Sequence, residues 1–108
     1  ASLLEFKLVF NKISQDCTGK ANIEYYPNSN VNGYCYLIDY DQFECLEEKY
    51  EKGYTFRDYA VRDEKGNLII AKSFYSTNID NSLKPSKKYK NIILNEYKRN
   101  NWDTSLIP

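Results

Sequence analysis

Residues 43–54 read FECLEEKYEKGY and place four carboxylates, Glu44, Glu47, Glu48 and Glu51, beside Tyr50 and Tyr54 and ahead of Gly53. The chain has no histidine, which removes the side chain that most often titrates near neutral pH, and with it Ser-His and Cys-His nucleophilic catalysis. Proton transfer in this protein therefore falls to Glu, Asp, Lys or Tyr. A glutamate that is partly withdrawn from water has its pKa raised toward neutrality, where it can both take and return a proton. The competing reading is a solvated helix face, which is what most charged helical clusters are.

These carboxylates need an element to hold them. Asp41, three residues before Glu44, has the form of a helix N-cap. Phe43, Leu46 and Tyr50 share one stripe of that helix, and Gly53 suits its exit because glycine takes the left-handed conformation cheaply. On this geometry Glu44 and Glu48 point toward solvent, Glu47 lies nearer the apolar arc but mid-helix, and Glu51 sits on the flank of the stripe in the last turn. Before the helix, Leu4, Phe6, Leu8 and Phe10 alternate with Glu5, Lys7 and Val9, which predicts a half-buried strand. Residues 11–20 read as a loop, and 21–26 and 31–38 as two strands turned by Pro27-Asn28-Ser29-Asn30. After the helix, residues 54–62 and 68–75 form a hairpin across Asp63-Glu64-Lys65-Gly66-Asn67. Pro85 and Ser86 open a last helix, Ser86 as its cap, with Tyr89, Ile92, Ile93 and Tyr97 in its stripe. Three strands, helix, hairpin, helix make an α+β domain with a mostly antiparallel sheet or small barrel.

Composition narrows the function classes. At 108 residues, 28% charged and 42% apolar, the chain (1–108) reads as a single globular domain. Fifteen basic and fifteen acidic residues cancel, so no general pull toward nucleic acid or an anionic membrane is expected. No apolar run approaches the roughly 18 residues of a membrane span. Cys17, Cys35 and Cys45 are odd in number and widely spaced. They lack metal-ligand spacing, and read as buried or idle thiols in a reducing cytoplasm. No metal and no cofactor is expected, since phosphate-loop and metal signatures are absent.

Two other features have a functional and a bland reading. Tyr34, Tyr36, Tyr54 and Tyr59, among eleven tyrosines, can stack bases, but aromatic residues also favour strands, and the charge balance offers no electrostatic funnel. Lys84, Lys87, Lys88 and Lys90 crowd a helix N-terminus, where cations oppose the macrodipole; an anion site or a solvated surface accounts for them.

Several stretches taken in order resemble one family. ASLLEFKLVF is similar to a strand of the gamma-glutamylcyclotransferase family, which also contains plant avirulence-induced proteins. ANIEYYPNSNVNGYCYLI resembles its next hairpin, LEEKYEKGY its acidic segment, GNLIIAKSFY a further hairpin and KPSKKYKNII its last helix start. The resemblance covers nearly the whole chain, through ordered spacing rather than any one motif. It implies a small mixed β-barrel with flanking helices, and cyclisation of a γ-glutamyl amide to 5-oxoproline and a free amine. The nucleophile is tethered within the substrate, so the protein needs chiefly to fold it into an attack geometry. The implied partner is a small γ-glutamyl molecule, in the cytoplasm, without cofactor, nucleic acid or membrane. A binding domain on the same fold is the alternative.

The resemblance also assigns residues. Strict counting from Leu46 puts Tyr50 in the catalytic position, whereas matching Tyr-Glu pairs puts Glu51 there. Glu51 is the candidate general acid/base, with Glu47 second. Tyr50, Tyr54, Phe74 and Tyr75 are the expected substrate contacts, Phe74 standing where the family has a tyrosine. The match begins at the family's second strand, so the family's first strand and its Tyr-Gly-Ser-type loop would precede Ala1.

Overall fold

The computed structural model describes residues 1–49 and 53–108. Its elements are β1 (Ser2–Ile13), β2 (Gly19–Asn32), α1 (Tyr40–Lys49), β3 (Thr55–Arg62), β4 (Leu68–Tyr75), α2 (Lys87–Arg99) and a short 3-10 helix (Thr104–Leu106). The four strands form one antiparallel sheet in the order β2-β1-β3-β4. The α+β class holds. The sheet is not closed into a barrel: β1 meets β3 only at Ser2 opposite Arg62.

The longest departure from the sequence reading is the first half of the chain. Residues 21–26 and 31–38 are not a hairpin; a single strand, β2, runs through Pro27 and pairs with β1 along its length. The turn-forming residues instead swell into a bulge. Leu4 pairs with Asn30 and Phe6 with Tyr25, so Tyr26–Ser29 loop out opposite Glu5. Asn28 and Glu5 both take positive φ (65° and 67°), and the Asn28 N–H donates to the Glu5 carboxylate at 3.0 Å. Asn tolerates that conformation better than most residues. A bulge also changes the phase of alternation: Leu3, Leu8 and Phe10 are buried, while Leu4 is turned out, 41% exposed. Residues 33–39 have no regular structure.

The segment read as a loop, 11–20, is half strand, with the loop confined to 14–18. β1 continues to Ile13 and β2 starts at Gly19, with Lys12 opposite Lys20. Residues 76–84 then cross the end of β1: Ile13 N–H donates to the Asn78 carbonyl at 3.0 Å, and Asp80 N–H to the Asn11 carbonyl at 2.8 Å. Beneath this crossing lies a buried polar network. The Asn22 side-chain amide donates to Asn11 (3.1 Å) and to the Ser76 carbonyl (2.9 Å), and its oxygen accepts the Ser76 N–H (2.9 Å). Satisfied buried polar groups of this kind fix a single arrangement of the chain.

Both helices start with a side-chain cap. In α1 the cap is Asp39 rather than Asp41: Gln42 N–H donates to the Asp39 carboxylate at 2.8 Å, and Asp39 N–H to the Gln42 side chain at 2.9 Å, a reciprocal capping box. In α2, Tyr89 N–H donates to Ser86 Oγ at 3.2 Å, as expected. Tyr97 is buried and Ile92 exposed, so the inward stripe follows Tyr89, Ile93 and Tyr97. The 63–67 hairpin turn also forms as expected, with Gly66 at φ 83°.

Candidate functional site

A cavity of about 360 Å³ opens where β2, the end of β4, the start of β3 and α2 meet; Leu8, Ala21, Asn22, Tyr54, Phe74 and Tyr89 are among its walls. Its volume lies in the range of small-molecule sites. The register of β1 and β2 shifts between Val9 and Lys12, and at that irregularity two tyrosines grip the backbone of Ala21. Tyr54 Oη donates to the Ala21 carbonyl at 2.6 Å, and the Ala21 N–H donates to Tyr89 Oη at 3.1 Å. The two hydroxyls are thereby polarised in opposite senses. Tyr89 accepts through its oxygen and keeps a proton to give, whereas Tyr54 gives its proton and keeps acceptor capacity.

Cations accompany both rings. Lys12 Nζ lies 4.8 Å from the Tyr54 ring centroid and Lys20 Nζ 4.6 Å from that of Tyr89, within reach of the attraction between a cation and a π face. Lys12 is 1% exposed. Lys20 lines the cavity and also reaches the Asp16 carboxylate at 3.4 Å. Asp16 is fixed from its other side: Ser14 Oγ, Thr18 N–H (3.0 Å) and Thr18 Oγ1 (2.6 Å) all donate to it. These bonds, Ser14's first, hold its carboxyl well below the usual carboxylate range.

The sequence-predicted site residues divide. Tyr54 and Phe74 meet at the cavity, with ring centroids 5.8 Å apart. Phe74 continues into an aromatic wall with Phe56 and Phe43, each step 4.8 Å. Tyr75 does not join them. Adjacent strand residues face opposite sides, and its ring lies under the Arg57 guanidinium at 3.8 Å instead. Glu47 stands exposed on α1, as do Glu44 and Glu48, and among the described residues lining the cavity there is no carboxylate. Glu51 and Tyr50 lie outside the described residues. Leu46, expected in the buried stripe of α1, is 39% exposed. The three thiols are free and exposed, not buried. Among the described residues no group of His, Cys, Asp or Glu could hold a metal ion, and no helix is long and apolar enough to cross a membrane.

Lys12, Lys20, Ala21, Asn22 and Tyr89 were not singled out as site residues from sequence. Reading 11–20 as a loop hid the first two. The signal was available in Phe10, Lys12 and Ser14, which continue the period-two spacing of Leu8 and are all buried.

No protein-family model and no curated protein matches the sequence. Solved structures do match. One, described as a gamma-glutamyl cyclotransferase, superposes with a TM-score of 0.81 at 29% identity over 94% of this chain. Another, an uncharacterized protein from Homo sapiens, gives 0.80 at 30% identity over 93%. The chain spans 64% and 63% of the lengths of these two proteins. With the ordered sequence resemblance and the shared architecture, the chain has the gamma-glutamyl cyclotransferase-like fold.

Proposed function

We propose that the protein cyclises a γ-glutamyl amide. The observation that carries this reading is the likeness to a gamma-glutamyl cyclotransferase over 94% of the chain. The cavity walled by Tyr54, Phe74 and Tyr89 adds to it. In the reaction the substrate's α-amine nitrogen attacks its own γ-carbonyl carbon. A C–N bond closes the five-membered ring, and the former amide C–N bond breaks. The amine proton passes to a carboxylate, for which Glu51 is the candidate, and from it to the departing nitrogen. The products are 5-oxoproline and a free amine, with no water consumed.

The cavity chemistry suits such a substrate. Holding the chain curled supplies most of the advantage, because amine and carbonyl are already joined. Apolar and aromatic walls (Leu8, Ile23, Phe74) can enclose the glutamyl methylenes. The Tyr54 oxygen can accept from the amine, and the Tyr89 hydroxyl can donate to an oxygen of the substrate. No step calls for a cofactor.

A ligand-binding role on the same fold is the second reading, favoured by the absence of a carboxylate among the described residues lining the cavity. Product analysis with γ-glutamylalanine separates the readings. Cyclisation yields 5-oxoproline and alanine in equal amounts. Glutamate in place of 5-oxoproline would mean hydrolysis, and recovery of intact dipeptide from a saturable complex would mean binding alone.

A further inference from the structure

Lys12 and Lys20 are directly opposed across the antiparallel β1–β2 ladder. Side chains at opposed positions project to the same face with their Cβ atoms about 5 Å apart, and like charges placed so repel. Withdrawing an ammonium group from water is unfavourable, and the Lys20 side chain is only 19% exposed. Each contacts a tyrosine ring, and those two tyrosines hold the N–H and the carbonyl of one residue, Ala21, at the cavity wall. Lys20 is the charged side chain among the described residues of that wall. Its partner Asp16 is 3.4 Å away, at the long end for a charge-assisted bond, and Ser14 and Thr18 hold the other oxygen of that carboxylate.

We propose that Lys20, with the Tyr89 hydroxyl, is a carboxylate-recognising subsite of this cavity. The Lys20 ammonium takes one carboxylate oxygen, and the proton that Tyr89 retains while accepting from Ala21 N–H goes to the other. Lys12 contacts the Tyr54 ring rather than the cavity, and serves to position that ring. The subsite rests on the proposed reading only for its choice of ligand. A γ-glutamyl dipeptide carries two carboxylates, one on the glutamyl α-carbon and one on the leaving amino acid, and the same donors fit either.

The test is calorimetric binding of γ-glutamylalanine and of its two mono-amidated forms, each with one carboxylate replaced by a carboxamide, to the wild type, Lys20→Gln and Lys20→Arg. Removing one charge-assisted contact is expected to weaken γ-glutamylalanine roughly 10-fold or more in Lys20→Gln, with Lys20→Arg restoring most of it. The amidated form whose affinity no longer responds to Lys20→Gln identifies the carboxylate that is held. Equal affinity of wild type and Lys20→Gln for all three ligands overturns the subsite, as does equal weakening of all three, which is a loss of shape rather than of charge recognition. Charge-selective binding without 5-oxoproline release supports the subsite and rejects the cyclotransferase reading, so the two fail separately.

Discussion

Tyr54 Oη and the Ala21 carbonyl, 33 residues apart in sequence, are joined by a 2.6 Å hydrogen bond that ties the start of β3 to the irregular part of β2. The same residue is held at its N–H by Tyr89 of α2, so three elements meet at Ala21. Tyr54→Phe keeps the ring but leaves the carbonyl without this donor, which is expected to cost about 1–2 kcal/mol. Tyr89→Phe should cost a similar amount. Because both act on the backbone of one residue, the double variant should lose measurably less or more than the sum. Urea denaturation of the four proteins checks this; strict additivity would show that the two contacts are independent.

Gly19 stands beside this region for a steric reason. A Cβ built there would lie 2.0 Å from the Phe10 carbonyl oxygen and 3.3 Å from Leu83 Cβ. The first neighbour is backbone of the central strand, and Gly19 N–H is itself committed to the Lys84 carbonyl at 2.9 Å. Gly19→Ala must therefore part β1 from β2 at the cavity end, with a loss of about 1–3 kcal/mol, the scale of overpacking. Thermal denaturation within experimental error of the wild type would show that the strands separate there without cost.

Asp16 gives the loop between β1 and β2 a pH dependence of known sign. Its folded pKa is depressed, first by the Ser14 hydroxyl and then by Thr18. Its contribution to stability is therefore complete above the ordinary carboxylate pKa of about 4 and falls as the pH drops through that value toward the folded one. Asp16→Asn should melt below the wild type at pH 6, with the gap narrowing toward pH 2. A gap that stays constant over this interval would mean that the carboxylate charge is not what orders the loop.

How much of this was legible in the sequence depended on whether the local signal had a competitor. Ser86 ahead of a periodic stretch, and Asp63 to Asn67 between two β-rich runs, had none, and both formed as read. Pro27 to Asn30 had the composition of a hairpin turn, yet β1 was long enough to pair on both sides of it, so Tyr26–Ser29 became a bulge instead. Asp41 lost the cap to Asp39 because Gln42 completes a reciprocal pair only with the latter. Of the residues expected to contact substrate, Tyr54 and Phe74 line the cavity, whereas Lys12 and Lys20 become visible only once the β1–β2 register is known. Tyr75 was assigned with its neighbour Phe74, and strand alternation separates the two.

We propose that this chain performs intramolecular cyclisation with one glutamate moving the proton. The direct measurement is the rate of 5-oxoproline formation from γ-glutamylalanine by the wild type, Glu51→Gln and Glu47→Gln, with dipeptide affinity measured alongside. Glutamine keeps the size and hydrogen-bonding reach of glutamate but cannot carry the proton. The account predicts turnover in the wild type, near-wild-type turnover in Glu47→Gln, whose side chain is exposed on α1, and background rates with retained binding in Glu51→Gln. Normal turnover by Glu51→Gln with a dead Glu47→Gln would contradict the assignment of the acid/base, and a wild type that binds the dipeptide without forming 5-oxoproline would contradict the reaction itself.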